Sequence, residues 1–520
     1  MTGILSLPER RFADEEVVDV VVVGTGAGGA PVLARLAAAG LRVVALEAGA
    51  PGPPRDHAAD ETEATELYWL AERLAGGTTP QPMGANNSGT GVGGSLLHWG
   101  AFVPRPDARD LRLRTETGRG RDWPFGLDAL LPYLREVEEA IQVSGPRNYP
   151  WDPSRRYPQP PVARNQAADA MARACDSLGI RATDAPAALV TRDTEQPGFG
   201  TRESCIHCGA CHQGCRNGSK AGGDTTFLPA AVLDGAEIRP NCMVTGIERD
   251  ALGRVSAVIY REDGRERRQR CAALFLCAGA VETPRLLLHA GLCNGSGQVG
   301  RNYMAHVATQ VWGTVDREIR PNKGYPSSLI SEDMVRPADA DFVGGYLVQS
   351  LGIMPVTWAN QVARGRGLWG RGLTDYLAQY NRVIGIGING DCLPYEENRL
   401  TLSDELDESG MPKPLISFSA GENEQRIHAH AERVLSRIWE EAGASDLWTL
   451  TRYAHTIGTC RMGPDGDDAV VDGRGRSFEI DNLWICDNSV FPSALSANPA
   501  LTIMALGLRS ADAFLGRLPA

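Results

Sequence analysis

The sequence predicts a mixed α/β and α+β architecture, with a strand-helix-strand unit at the N-terminus and antiparallel strands further along. Residues 17–49 predict the first part, because a β-branched run is followed by a glycine turn, by small and apolar residues at helical spacing, and by a second apolar strand. Residues 236–250 and 254–263 predict the second part, because apolar side chains alternate there with polar ones.

The first strand leads into a G-x-G-x-x-G turn formed by Gly24, Gly26 and Gly29. Glycines at this spacing let the backbone approach a pyrophosphate, and the helix that follows presents N–H donors and a positive dipole end to it. Glu47 closes the second strand at the distance expected for a carboxylate on ribose hydroxyls. This order of elements predicts a bound dinucleotide, and the turn alone does not distinguish FAD from NAD.

Residues 311–400 carry neither dinucleotide signals nor a clear period, and we predict a substrate-facing lobe there. Polar-tipped aromatics are concentrated in it. Their flat faces and hydrogen-bonding edges suit sugars, with simple packing of the lobe as an open alternative. The six residues are Tyr325, Tyr346, Trp358, Trp369, Tyr376 and Tyr380. Helical spacing returns over residues 422–444, where one face is apolar.

Composition and charge narrow the class of partner. The chain has 520 residues and a formal net charge of −12, without a long run of Lys or Arg. Nucleic acids and anionic membranes are bound mainly through clustered positive charge, so neither is an expected partner. No stretch of about 18 apolar residues runs without a charge, and the start of the chain turns acidic early. We therefore expect no membrane span, no secretion, a cytoplasmic location and a small-molecule partner.

Five segments carry more specific motifs: GVGGSLLHWG (91–100), LCAGAVETPRLLL (276–288), VGRNYMAH (299–306), HTIGTCRMG (455–463) and NLWICDNSVFPSALSANPALTIMALGLRSAD (482–512). Together and in this order they resemble the glucose-methanol-choline (GMC) family of FAD-dependent oxidoreductases, from about Val17 to Leu515. The resemblance implies a Rossmann-like FAD-binding domain built from discontinuous segments, a substrate domain with an antiparallel sheet, and oxidation of an alcohol by hydride transfer to flavin.

The resemblance also implies residue roles. Hydride transfer from an alcohol requires a base at the hydroxyl, and His455 occupies the family's catalytic histidine position. Asn498 stands where a second polar side chain holds the same hydroxyl. We also expect Asn498 to cap a helix that begins at Pro499, with its positive end toward the flavin. Further implied cofactor contacts are Gly94, Ser95, His98, Val244, Asp487 and Pro499.

His98 lies in a G-G-x-x-x-H-W string. In the pyranose oxidases of the family, a histidine with this spacing is joined covalently to the flavin, whereas other relatives with a His-Trp pair bind flavin without the bond. Both alternatives remain open for His98.

Residues 203–220 hold Cys205, Cys208, Cys211 and Cys215 in C-x2-C-x2-C-x3-C spacing, which is that of a bacterial ferredoxin run. Three interpretations are open: an iron-sulfur cluster, a structural zinc, or reduced thiols. The resemblance favours a cluster, because some bacterial sugar dehydrogenases of the family carry one in about this part of the chain. A cluster would relay single electrons to a protein acceptor, so we favour a dehydrogenase over an oxidase.

These observations predict FAD-dependent oxidation of an alcohol on a sugar, polyol or glycoside. The alternatives are a hydrophobic lipid or steroid alcohol, and a flavin module that carries electrons without a substrate of its own. We expect an FAD-binding domain over 15–310, a substrate-binding domain over 311–440, and a return to the FAD domain over 441–520.

Overall fold

Residues 11–51, 60–80 and 88–518 are described by the computed structural model of the chain. The prediction about the N-terminal segment falls partly outside them. The strands, in chain order, are β1 (Val18–Val23), β2 (Val43–Leu46), β3 (Leu74–Gly76), β4 (Thr183–Asp184), β5 (Thr194–Gln196), β6 (Gly200–Arg202), β7 (Glu237–Arg239), β8 (Cys242–Arg249), β9 (Val255–Glu262), β10 (Arg265–Leu276), β11 (Met304–Thr314), β12 (Leu329–Ser331), β13 (Tyr346–Leu351), β14 (Val383–Gly390), β15 (Arg399–Leu406), β16 (Pro412–Ser417), β17 (Ser445–Ile457) and β18 (Leu483–Ile485).

The helices carry the remaining regular structure. In chain order they are α1 (Gly29–Ala38), α2 (Leu113–Thr117), α3 (Leu127–Ile141), α4 (Gln166–Ser177), α5 (Phe227–Leu233), α6 (Gly279–Ala290), α7 (Pro355–Arg366), α8 (Gly370–Leu377), α9 (Glu422–Glu441) and α10 (Ala500–Phe514). Within the described residues, none of the helices is long and apolar enough to cross a membrane.

A seven-stranded sheet confirms the predicted N-terminal unit. Its strand order is β7-β2-β1-β10-β9-β8, and β18 pairs with β10. Pairing is parallel from β7 to β10 and between β10 and β18, whereas β8 and β9 form the predicted antiparallel pair. The apolar run of β1 is buried, as is usual for strands covered on both faces. Helix α1 packs against α5 and α10, which brings the C-terminal helix back to the first strand.

A second sheet confirms the antiparallel part of the prediction. Its order is β17-β11-β14-β13-β12-β4, and every pair in it is antiparallel. Helix α9 confirms the predicted helix, and it covers one face of this sheet with the apolar side predicted from its spacing. Strands β11 and β17 begin or end outside residues 311–440, so the sheet extends beyond the bounds predicted for the substrate domain. The domain division itself stays a prediction.

Candidate active site

A cavity of about 600 Å³ is lined by both sheets. One end is formed by the turn after β1, the end of β2 and the start of α6. The other end is formed by residues of β11, β13, β14 and β17 and by α7. The segment 94–100 and the start of α10 also line it. The cavity thus joins the predicted dinucleotide end to the predicted substrate end.

The glycine turn is tightly packed on three sides and open on the fourth. A Cβ on Gly24 would lie 2.6 Å from the carbonyl oxygen of Cys277, and one on Gly29 would lie 1.9 Å from that of Gly24. At Gly26 the nearest atom would be 3.7 Å away, and this residue lines the cavity. The turn therefore leaves backbone accessible at Gly26, where a side chain would occupy space that a pyrophosphate can use.

Glu47 is buried at the end of β2 and lines the same end of the cavity. Its Oε2 accepts hydrogen bonds from the Thr25 amide (3.0 Å) and the Thr25 hydroxyl (2.8 Å), and its Oε1 accepts one from the Gly49 amide (3.1 Å). Burial raises the pKa of the Glu47 carboxyl. The side chain is thus fixed at the position where the sequence predicts ribose binding.

The other predicted cofactor contacts also line the cavity: Gly94, Ser95, His98, Val244, Asp487 and Pro499. Asp487 accepts hydrogen bonds from the Gly279 amide (2.8 Å) and the Thr283 hydroxyl (2.6 Å), which ties it to the start of α6. Burial raises its pKa. Because a Cβ on Gly94 would lie 2.7 Å from the Gly26 Cα, the two glycines allow these segments to pack in contact.

His98 is buried, and its Nε2 has no hydrogen-bond partner among the described residues. Burial, the charge of Lys220 and the nearby His212 lower the pKa of His98 to about 3. Its imidazole is therefore neutral at physiological pH. A buried polar atom without a partner is costly unless a ligand satisfies it, so His98 fits contact with a bound flavin.

His455 lies on β17 and lines the cavity beside a second histidine that the sequence analysis did not single out. Its Nδ1 is 2.9 Å from the Nδ1 of His306 on β11. The two strands shift register here, because Ala305 pairs with Thr456 and His306 pairs with Ala454. His455 is thus the extra residue of a β-bulge, and its φ is +58°.

The partners of His306 assign the protonation of both rings. The Nε2 of His306 lies 3.0 Å from each of two carbonyl oxygens, those of Ala494 and Leu495, so it carries the proton and donates. Burial lowers the pKa of His306, which is therefore neutral and accepts at Nδ1. The Nδ1 of His455 must then donate to it. This leaves the Nε2 of His455 without a proton and without a partner among the described residues.

Asn498 also lines the cavity, but it does not cap α10 as predicted. The helix begins one residue later than expected, at Ala500, and the Pro499 carbonyl accepts its first hydrogen bond. The side-chain oxygen of Asn498 instead accepts a hydrogen bond from the amide of Asn389 on β14 (3.1 Å). That contact orients the side-chain NH₂ of Asn498 as a donor.

The cysteine window does not form the predicted metal centre. In the part of the chain that the structure describes, no group of three or more His, Cys, Asp or Glu side chains is placed to hold a metal ion, and all four cysteines are free. The Cys215 thiol is engaged locally, donating to the Asn217 side chain (3.2 Å) and accepting from the Lys220 amide (3.3 Å). The prediction of a dehydrogenase depends on a cluster as relay, so it loses its structural support.

The six aromatics singled out in the lobe do not line the cavity, and packing explains most of them. Trp358, Tyr376 and Tyr380 belong to one apolar cluster with Trp312, and Tyr325 and Tyr346 are buried in the main core. Trp369 is 84% exposed. The aromatic argument for a sugar substrate is therefore not supported.

Other functional positions escaped the sequence analysis, although signals existed for two of them. Gly28 follows directly in the glycine turn, and a Cβ there would lie 1.7 Å from the Cys486 carbonyl oxygen. His306 ends a family-like motif. Thr25 and Asn389 carry no motif signal, and only the fold brings them to the cavity.

Comparisons with known proteins agree with this geometry. The N-terminal model of the GMC oxidoreductase family matches residues 70–308, and the C-terminal model matches residues 394–507. The fructose dehydrogenase large subunit of Gluconobacter japonicus is 29% identical over 455 residues, covering 82% of this chain and 81% of that protein. The 2-methyl-1,2-propanediol dehydrogenase of Mycolicibacterium austroafricanum is 29% identical over 539 residues, covering 95% and 94%. The crystal structure of pyridoxine 4-oxidase from Mesorbium loti superposes with a TM-score of 0.70 at 18% identity, covering 96% of this chain and 100% of that one, a likeness of fold.

Proposed function

Because the chain belongs to the GMC oxidoreductase family, we propose that it oxidises an alcohol group with bound FAD, with His455 as the base and Asn498 as the group that positions the substrate hydroxyl. The observation that carries this proposal is the hydrogen bond from His455 to His306. It leaves the Nε2 of His455 as a free acceptor in the cavity. A base must lie within hydrogen-bond reach of the proton it removes, and this nitrogen is available for that contact.

The two polar groups complement one hydroxyl. The Nδ2 of Asn498 donates to the hydroxyl oxygen, while the hydroxyl proton passes to the Nε2 of His455. FAD supplies the acceptor for the hydride that leaves the same carbon, so the alcohol loses a proton and a hydride and becomes a carbonyl. Burial, together with the charges of His306 and Arg452, lowers the pKa of His455 well below 6.5, so the base is unprotonated at neutral pH.

The residues that would hold FAD occupy the other end of the cavity. Gly26 and the start of α1 suit the pyrophosphate, Glu47 suits the ribose, and His98 suits the flavin, without or with a covalent bond. The start of α10 lines the cavity at Pro499, so its positive dipole end would favour negative charge there. These contacts bind and orient the cofactor next to His455.

Side-chain amides support a polar alcohol, such as a sugar or polyol, over a lipid alcohol. Five amide side chains line the cavity beside Asn498: Gln310, Gln349, Asn360, Gln361 and Asn389. The Oε1 of Gln361 is buried and lacks a hydrogen-bond partner among the described residues. A substrate with several hydroxyls would satisfy such groups, whereas a hydrocarbon chain would leave them unpaired.

The test is single-turnover reduction of the flavin by substrate without oxygen. Removing a positioned general base typically slows the step by about 10²- to 10⁴-fold, so we expect that loss in His455→Ala with flavin content unchanged. His428→Ala is the matched control, because His428 lies on α9 and bonds to Thr309 at 2.9 Å, outside the cavity. Reduction of the flavin at the native rate in His455→Ala would refute the assignment.

A further inference from the structure

Two arginines at the substrate end of the cavity have no counter-charge. Arg452 on β17 and Arg364 on α7 both line the cavity, and neither makes an ion pair or a hydrogen bond with any residue in the described ranges. Both side chains are accessible, and that of Arg452 is open to the cavity although protein surrounds it. Burial and the charge of Arg364 lower the pKa of Arg452, which places the two guanidinium groups close enough to repel each other.

The acidic residues of the cavity do not compensate this charge. Those that line it in the described part of the chain are Glu47, Glu282 and Asp487, all at the cofactor end. Glu282 pairs with Arg73 at 2.9 Å, and the other two are hydrogen-bonded as described above. On α7 itself, Glu61 accepts from the first amides at 2.7 Å, about two turns from Arg364. The substrate end is therefore a region of uncompensated positive charge.

Charges enclosed by protein are usually paired, because leaving them unpaired is costly. Guanidinium groups bind carboxylates and phosphates through charge-assisted, often bidentate, hydrogen bonds. Building on the proposed function, we propose that Arg452 and Arg364 bind an anionic group of the substrate, which is then a polyol or sugar that carries a carboxylate or a phosphate.

The strand geometry suits this assignment. Arg452 precedes His455 by three residues on β17, so their Cα atoms lie at most about 10 Å apart, at about 3.3 Å per residue. Arg452 is also near enough for its charge to lower the pKa of His455. One small molecule can thus place a hydroxyl at His455 and an anion at Arg452. The amide side chains between them suit the remaining hydroxyls of a sugar.

The experiment compares neutral and anionic alcohols of the same skeleton on the holoenzyme: glucose, gluconate, glucuronate and glucose 6-phosphate. Flavin reduction gives KM and the limiting rate for each. We expect an anionic member to have a KM at least tenfold lower than glucose, with the carboxylates and the phosphate as separate arms. Arg452→Gln and Arg364→Gln should each raise that KM by about tenfold or more, and leave glucose nearly unchanged.

Arg366→Gln is the matched control, because Arg366 lies on the same helix but pairs with Asp446 at 2.7 Å and does not line the cavity. Its KM for the anionic alcohol should stay native. Equal KM values for neutral and anionic alcohols would overturn the proposal, and so would variants that lower the limiting rate for every alcohol without changing KM.

Calorimetric binding to His455→Ala separates this inference from the proposed function. Binding of gluconate or glucose 6-phosphate that is lost in Arg452→Gln would support the anion site even if no alcohol in the set reduced the flavin. Conversely, reduction by glucose with no measurable binding of either anion would leave the oxidation of alcohols in place and overturn the anion site.

Discussion

Replacing His306 should slow catalysis without removing any group that contacts the substrate. His306→Leu deletes the acceptor that holds the Nδ1 proton of His455, so the imidazole is free to carry its proton at Nε2 instead. A buried hydrogen bond of this kind contributes about 1 to 3 kcal/mol, which corresponds to roughly a 5- to 150-fold loss in the rate of flavin reduction. KM should change little, because binding contacts remain.

The assay is anaerobic stopped-flow reduction of the flavin, with flavin content and Tm measured on the same preparations. His306→Asn serves as the conservative variant, since its Oδ1 can accept from the His455 Nδ1, and it should recover most of the rate. In a His455→Ala background, His306→Leu should cause no further loss, as expected for residues that act as a unit. Equal rates in the Leu and Asn variants, or additive losses in the double variant, would refute the tautomer argument.

Two further predictions follow from the same cavity. Because the pKa of His455 lies well below 6.5, and because the base works only unprotonated, the rate of flavin reduction should stay flat from about pH 6.5 to 8 and fall only in more acidic solution, as stopped-flow rates across pH would show; an acid limb centred near 6.5 would contradict this. Gly26→Ala should fold and lose flavin, measured as the ratio of flavin to protein after gel filtration, whereas Gly28→Ala should lower Tm, because its Cβ would lie 1.7 Å from the Cys486 carbonyl oxygen. Native stability in Gly28→Ala, or full flavin content in Gly26→Ala, would show that the close packing is misjudged.

Local patterns in the sequence predicted the elements that depend on local patterns. The unit from β1 to β2 and helix α9 follow from spacing over 10 to 30 residues, and the structure confirms them. The aromatics of the lobe failed as a substrate signal for a physical reason. Composition shows that Trp358 and Tyr376 are present, but only tertiary packing decides that they face Trp312 and not the cavity.

The polar network of the site was also beyond local patterns. His306 and His455 are 149 residues apart in the chain, and Asn389 and Asn498 are 109 apart. Asn498 shows how such contacts override local preference, because its oxygen, expected to cap α10, is taken by Asn389. Arg452 and Arg364 have no motif, and their significance lies in the absence of acidic neighbours in the described cavity lining.

The bulge at His455 connects backbone strain with the position of the base. On β17, Trp448, Leu450, Arg452 and Ala454 pair with even-numbered residues of β11, the last of them being His306, and these residues share one face of the sheet. Strict alternation would turn residue 455 to the opposite face, which α9 covers. As the extra residue of the bulge, His455 instead reaches His306 and the cavity. A φ of +58° in a residue other than glycine costs about 1 to 3 kcal/mol. A regular strand would avoid that cost but would direct the imidazole away from the substrate, so we attribute the strained bulge to the role of His455 as the base.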